Sequence, residues 1–132
     1  MAVGKRERIK LDKNNNEIKN STRYYSSKQE KKVANLFNGH QVKNSGATPW
    51  EKGDVDTNLF LLECKTHTTD KDSMSIKKIW LEKNNEEALF MGKKYSALVF
   101  NFGPSSKNYY IIDEYLMQEL MNHLENLERN ST

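Results

Sequence analysis

The sequence predicts a single α/β domain in which a small mixed β-sheet is flanked by helices. A length of 132 residues is enough for one modest core and too short for two. Short apolar runs bounded by turn residues indicate strands, and segments with apolar residues three and four apart indicate helices. Their order along the chain is α-β-β-β-α-β-β-α, which is typical of a layered α/β domain.

The front of the chain is polar and basic. Residues 1–22 have almost no apolar periodicity and contain the tract Asn14-Asn15-Asn16, which predicts a flexible arm before one domain over residues 23–132. Residues 1–43 carry 11 Lys or Arg against 4 Asp or Glu, whereas the remaining residues carry 10 against 14. Such a basic segment indicates a polyanionic partner, with a solvated leader as the alternative.

The first helix is predicted from a local start signal. Ser27 has the place of an N-cap, and Glu30 three residues later has the capping-box spacing. Asn38-Gly39 ends the helix after about three turns. Its apolar side comprises Val33, Ala34, Leu36 and Phe37.

The other predicted elements follow from apolar runs and turn residues. Strands are expected at 40–43, 54–57 and 59–65, with a loop over 44–53. A second helix is expected over 75–91, then a hairpin of strands 95–102 and 108–112, and a last helix over 113–128. The expected inward residues of the second helix are Ile76, Ile79, Trp80, Ala88 and Phe90. The last helix has a stripe that is either core or a dimer face, formed by Leu116, Leu120, Leu124 and Leu127.

The sequence disfavours several classes of protein and of site. No apolar run approaches the roughly 18 residues of a membrane helix, and the N-terminus lacks a signal-peptide h-region, so we expect a cytoplasmic protein. A single cysteine, Cys64, agrees with a reducing compartment. A Cys64–His67 nucleophile is disfavoured, because side chains three apart on a strand face opposite ways. The three histidines are too scattered for a zinc site.

One stretch combines charge with a buried strand, namely Gly53-Asp54-Val55 followed eight residues later by Glu63-Cys64-Lys65. Residues two apart on a strand point to the same face, so Glu63 and Lys65 share a face from which Cys64 turns away. Asp54, on the neighbouring strand, can reach the same place. Two carboxylates and an ammonium at the end of a strand predict a Mg²⁺ site with room for phosphate.

Each residue of this predicted site has a separate role. Asp54 and Glu63 are the expected metal ligands, and the backbone carbonyl of Cys64 is a further one. Lys65 would orient the attacking water and add positive charge near the phosphate. Asp56 alternates onto the same face as Asp54 and is the alternative ligand.

These residues resemble the signature of the PD-(D/E)xK nuclease superfamily, with Gly53 in place of the proline. The helix, strand and loop before them resemble the Holliday junction resolvase branch of archaea and phages, and small phage-encoded members most closely. The resemblance runs from about Arg23 to Ile112. It implies a restriction-endonuclease-like core, so that residues 23–132 would form one nuclease domain.

The resemblance also implies an activity and further site residues. Glu30 matches a catalytic glutamate on the first helix, and Ser45 and Gly46 match a Ser-Gly loop that approaches the substrate. The implied activity is a Mg²⁺-dependent DNA endonuclease, with Mn²⁺ able to substitute, acting as a homodimer on four-way junctions in a prokaryotic or phage-infected cell. Further candidates for contact with DNA are Arg23, Lys77 and Lys78.

Three alternatives remain open on the sequence. The closest is a general nicking or mismatch-processing nuclease of the same fold. A non-catalytic DNA-binding accessory protein belongs to a different class, although two carboxylates facing phosphate would then serve little purpose. No residue excludes an RNA-directed nuclease.

Overall fold

The computed structural model describes residues 22–42 and 54–131. Its elements follow one another in the predicted order, with five strands and three helices in these ranges. The helices are α1 (Thr22–Phe37), α2 (Lys78–Phe90) and α3 (Glu114–Asn130). The strands are β1 (His40–Gln41), β2 (Asp54–Asp56), β3 (Phe60–Lys65), β4 (Tyr95–Phe100) and β5 (Tyr109–Ile111).

The strands form one mixed sheet in the order β1-β2-β3-β4-β5, which confirms the predicted α/β class. The pairs β1–β2, β2–β3 and β4–β5 are antiparallel, whereas β3 and β4 are parallel. Parallel neighbours need a crossover connection, and here the connection contains α2. Strand β3 therefore lies at the centre of the sheet with a partner on each side.

The core lies between α1 and one face of the sheet. Val33 and Ala34 of α1 pack with Val55, Leu62 and Cys64 in one buried cluster. The residues that alternate with these point to the other face, which α2 covers. On that face Leu61 and Leu98 are fully buried.

The beginning of α1 differs from the prediction. The helix starts at Thr22, five residues before Ser27, so Ser27 lies within the helix and the capping box was wrong. The predicted end is confirmed: Asn38 adopts a left-handed φ of 54°, and the Gly39 N–H donates to the Ala34 carbonyl at 2.8 Å. Capping signals are local, whereas the extent of α1 also depends on what its side chains contact in the fold.

The inward face of α2 is also different from the prediction. Ala88 is buried as predicted, together with Asn84, but Ile79 and Phe90 are 48% and 93% exposed. Leu59, which we expected inside the third strand, precedes β3 and is 47% exposed. In each case an apolar residue type was taken as a sign of burial, although folded proteins expose much apolar surface.

Helix α3 is attached to the domain mainly through its first half. The Asp113 carboxylate caps it by accepting from the Leu116 N–H at 2.9 Å, and the Tyr95 hydroxyl donates to Glu119 at 2.7 Å. Leu116 is buried, but Leu124 is 63% exposed. Most of the predicted leucine stripe is therefore not part of the core of this chain.

Among the helices of the described ranges, none combines the length and apolarity that crossing a membrane requires.

We expect Asn84→Ala to destabilise the domain by about 2 kcal/mol, because each buried hydrogen bond contributes roughly 1 kcal/mol. The Asn84 amide donates to the carbonyls of Leu61 and Ala97 at 3.3 and 3.1 Å, which joins α2 to β3 and β4. Chemical denaturation measures the change, and Asn85→Ala, on the exposed neighbour, is the matched control. Equal stability of the two variants would contradict this role.

Candidate functional site

Strand pairing brings the two predicted metal-binding carboxylates together. Asp54, the first residue of β2, lies directly opposite Glu63 of β3. Residues directly opposite on antiparallel strands have Cβ atoms about 5 Å apart and share a face of the sheet. Asp54 is only 2% exposed and Glu63 is half-buried, so these carboxylates lie at the margin of the core.

Lys65 follows on the same face and is held by an aromatic ring. Its Nζ lies 4.5 Å from the centroid of the Trp80 ring, and the Nζ of Lys77 lies 5.7 Å from the same centroid. Cation–π attraction of this kind orients an ammonium without neutralising it. We expected Trp80 in the core, but it is half-buried and supports a charged group of the site. The sequence signal for this role would have been an aromatic residue in the first turn of α2, next to Lys77 and Lys78.

Four charged groups of the candidate site act on the pKa of the Cys64 thiol. Burial raises the pKa of Cys64, and the charges of Glu30, Asp54 and Glu63 raise it further, while Lys65 lowers it. Because Coulomb interactions weaken with distance, all four charged groups lie near this thiol. The same environment keeps Cys64 protonated, which agrees with our rejection of a Cys64 nucleophile.

Glu30 approaches β3 from the α1 side. It is 8% exposed and lies one turn before Val33 and Ala34, which pack against the sheet. Asp54 and Glu63 project from the α2 side, so Glu30 is near the same strand without sharing their face. Since α1 begins at Thr22, Glu30 is not a capping residue, which removes the structural alternative that the sequence had suggested.

Asp56 lies away from the paired carboxylates. It is opposite Leu61 rather than Glu63, and its carboxylate lies 3.4 Å from the Nζ of Lys93. The same Nζ donates to the Thr57 carbonyl at 2.6 Å. Lys93 therefore forms an ion pair with Asp56 near the turn between β2 and β3, away from Glu63. This placement favours Asp54 as the metal ligand.

Gln29 belongs to the site, although the sequence analysis did not single it out. The residue is only 5% exposed, and its Nε2 donates to the Lys65 carbonyl at 2.8 Å. This hydrogen bond ties the end of β3 to α1. Nothing local marks Gln29, because its partner is 36 residues away in the chain.

The predicted DNA-contacting residues are placed only in part. Lys77 and Lys78 are exposed at the start of α2, beside the Lys65–Trp80 pair. Arg23 is in the first turn of α1, and its side chain lies outside the description. Ser45 and Gly46 also lie outside the described residues.

The donor set fits a hard cation that shares its coordination with substrate. Within 22–42 and 54–131, no three His, Cys, Asp or Glu side chains are grouped as a ready-made metal site. Mg²⁺ is commonly held by one or two carboxylates, with waters and substrate phosphates completing its octahedron. Asp54 and Glu63, with the Cys64 carbonyl, match that pattern rather than an all-protein cage.

We expect native Cys64 to react with iodoacetamide at pH 8 at least about 100-fold more slowly than in urea, because burial and the raised pKa suppress the thiolate. The raised pKa also means that the folded state holds the thiol proton more tightly. The free energy of unfolding should therefore fall as the pH rises above about 8.5, the pKa of the thiol in the unfolded state. Above that pH the unfolded state releases a proton that the folded state retains. Native alkylation as fast as in urea would contradict this environment.

Comparisons with protein-family models, with curated proteins and with solved structures find no match to this chain. The function is therefore inferred from the chemistry and placement of these residues, together with the resemblance of their motif.

Proposed function

We propose that this protein is a Mg²⁺-dependent DNA endonuclease with a restriction-endonuclease-like core of the PD-(D/E)xK type. The observation that carries the proposal is the pairing of Asp54 with Glu63 across β2 and β3, with Lys65 two residues further on the same face. A structural ion pair would need only one acid beside Lys65. Strand register brings two carboxylates together, and the charge of a third, that of Glu30, also acts on Cys64 of β3. This concentration of negative charge favours binding of a cation.

The reaction is hydrolysis of a phosphodiester, in which a water oxygen forms a bond to phosphorus and one ester P–O bond breaks. Asp54 and Glu63 would hold the metal. When bound there, Mg²⁺ would lower the pKa of a coordinated water and place positive charge beside the phosphate. Glu30, from the α1 side, adds negative charge that favours cation binding at the end of β3.

Lys65 has the clearest separate role among the protein groups. Its ammonium is positioned over Trp80, on the face of β3 that also carries Glu63, from where it would orient the attacking water and offset the charge that develops on the phosphate. Lys77 and Lys78 lie beside it, and their exposed side chains suit contact with the DNA backbone.

The preference for branched DNA and the homodimer rest on the resemblance and on symmetry. A protomer of 132 residues offers one such site, and paired cuts in two strands require two sites related by a two-fold axis. The sequence gives no base-reading motif, and the acidic C-terminal helix is disfavoured for contact with DNA. Recognition of DNA shape through the backbone is therefore the favoured mode.

We expect the wild type to make paired, Mg²⁺-dependent nicks in a labelled four-way junction and to spare a linear duplex with the same arms. Glu63→Gln should lower cleavage by at least about 100-fold, because losing a ligand should cost more than the 10–100-fold typical of an outer-shell partner. Lys65→Ala should lower the cleavage rate with junction binding retained. Glu82→Gln and Lys83→Ala, on exposed parts of α2, are matched controls.

The alternatives give different results in the same assay. Equal cutting of junction and duplex would indicate a general nicking nuclease. Cutting of an RNA hairpin in preference to DNA would indicate an RNA-directed enzyme. Tight binding of the junction with no cleavage in Mg²⁺ or Mn²⁺ would support a non-catalytic accessory protein and would contradict the proposal.

We expect the series Trp80, Trp80→Phe, Trp80→Leu to show a stepwise fall in cleavage rate, since Trp binds cations best and Leu has no π face. A cation–π contact of roughly 1 kcal/mol predicts about a fivefold loss for Leu. The loss should appear in kcat rather than KM, because Lys65 acts in the reaction. Trp80→Leu in a Lys65→Ala background should cause no further fall, and an equal fall in both backgrounds would show that Trp80 does not act through Lys65.

A further inference from the structure

A polar cavity lies beside the end of β3, on the α1 side of the domain. Its volume is about 90 Å³, and α1, the segment after β3 and the β4–β5 turn contribute to its walls. The cavity therefore suits a small polar group.

The lining of the cavity favours an anion. Lys28 and Lys32, four residues apart on α1, lie on the same side of the helix and both belong to the lining. No Asp or Glu is among the described residues that line the cavity. The lining also includes amides and hydroxyls, together with Tyr25 and Pro104; the polar members are Gln29, Asn101, Asn108, Thr66 and Ser106.

A hydrogen-bond network holds the amides of the cavity in fixed orientations. The Asn108 Oδ1 accepts from Gln29 Nε2 and from Asn101 Nδ2, both at 3.2 Å. The Asn101 Oδ1 in turn accepts from the Thr66 hydroxyl at 2.8 Å and from the Gly103 N–H at 3.1 Å. With its oxygen occupied twice, Asn108 keeps its Nδ2 donors for a ligand.

The same network joins the cavity to the candidate active site. Gln29 Nε2 donates both to Asn108 and to the backbone carbonyl of Lys65. Gln29 and Asn101 are 5% and 6% exposed, so this connection is built into the core. A group bound in the cavity would therefore lie next to the end of the strand that carries Glu63 and Lys65.

We propose that this cavity is a phosphate subsite that holds a backbone phosphate of the DNA on the α1 side of the end of β3, across the sheet from the phosphate that is cleaved. The inference rests on the proposed function in that the anion is taken to be a phosphodiester. The described lining contains two lysines and no carboxylate, so it can hold an anion beside the acidic end of β3. Phosphates recur about every 3.4 Å of helix axis along a strand, and contacts to them set the register of the DNA.

The direct test uses inorganic phosphate as the probe, with EDTA present, and follows the side-chain amide signals by ¹⁵N NMR. We expect saturable shifts of the Asn108 and Gln29 amides in the wild type. Asn108→Asp keeps the oxygen that accepts from Gln29 and Asn101 but replaces the donor with a negative charge, so it should abolish the shift of the Gln29 amide. An unperturbed wild-type spectrum, or equal shifts in the variant, would overturn the subsite.

The second test measures junction binding by fluorescence anisotropy as a function of salt, without divalent metal. Lys28→Ala/Lys32→Ala should reduce the slope of log K against log salt by about 1, the value for one lost phosphate contact. Lys31→Ala/Lys83→Ala removes the same charge from exposed positions outside the lining and is the matched control. Equal slopes for the two double variants would overturn the subsite.

These binding tests separate the subsite from the nuclease. If wild-type protein cleaves junctions but phosphate leaves the amides unperturbed, the subsite is overturned and the nuclease stands. If phosphate binds as expected and no cleavage occurs with Mg²⁺ or Mn²⁺, the nuclease is overturned and the cavity is supported as an anion site of a binding protein.

Discussion

The alternation of side chains along β3 is the constraint on which the rest of the structure depends. Because β3 has a partner on both sides, its backbone is fixed, and each residue must face either α1 or α2. Leu62 and Cys64 fill the core under α1, while Glu63 and Lys65 face the other side. Placing charges on every second residue allows one short strand to complete the core and present reactive groups. A shift of one residue in the pairing of β3 would exchange its two faces and disrupt both the core and the candidate site.

The arrangement around this strand is electrostatically costly. Three carboxylates act on one buried thiol, and Asp54 and Glu30 are themselves buried. Burial and like charge both disfavour ionised carboxylates, so a fold selected only for stability would gain by replacing them with apolar residues. Such departures from the rules of stable packing are concentrated at functional sites. A cation bound at Asp54 and Glu63 would compensate for this concentration of negative charge.

Local patterns predicted the elements better than they predicted the contacts of those elements. Apolar runs and the turn residues that bound short segments located all five strands, and turn residues located the end of α1 at Asn38-Gly39, because these signals lie within a few residues of one another. The start of α1 was predicted too late, since a capping spacing at Ser27 cannot show that the preceding residues also become helical. Ile79 and Phe90 were wrongly assigned to the core because periodicity alone does not say how much of a helix the sheet can cover.

The sequence by itself determined the α/β class, the order of the elements and the shared face of Glu63 and Lys65, because a strand repeats every two residues whatever surrounds it. Only the tertiary structure decided that Asp54 lies opposite Glu63, that Trp80 supports Lys65, and that Gln29 binds the Lys65 carbonyl. These contacts join segments far apart in the chain, whose meeting depends on strand register and helix packing. The polar cavity has the same origin, since its walls come from three separate segments that meet only in the folded domain.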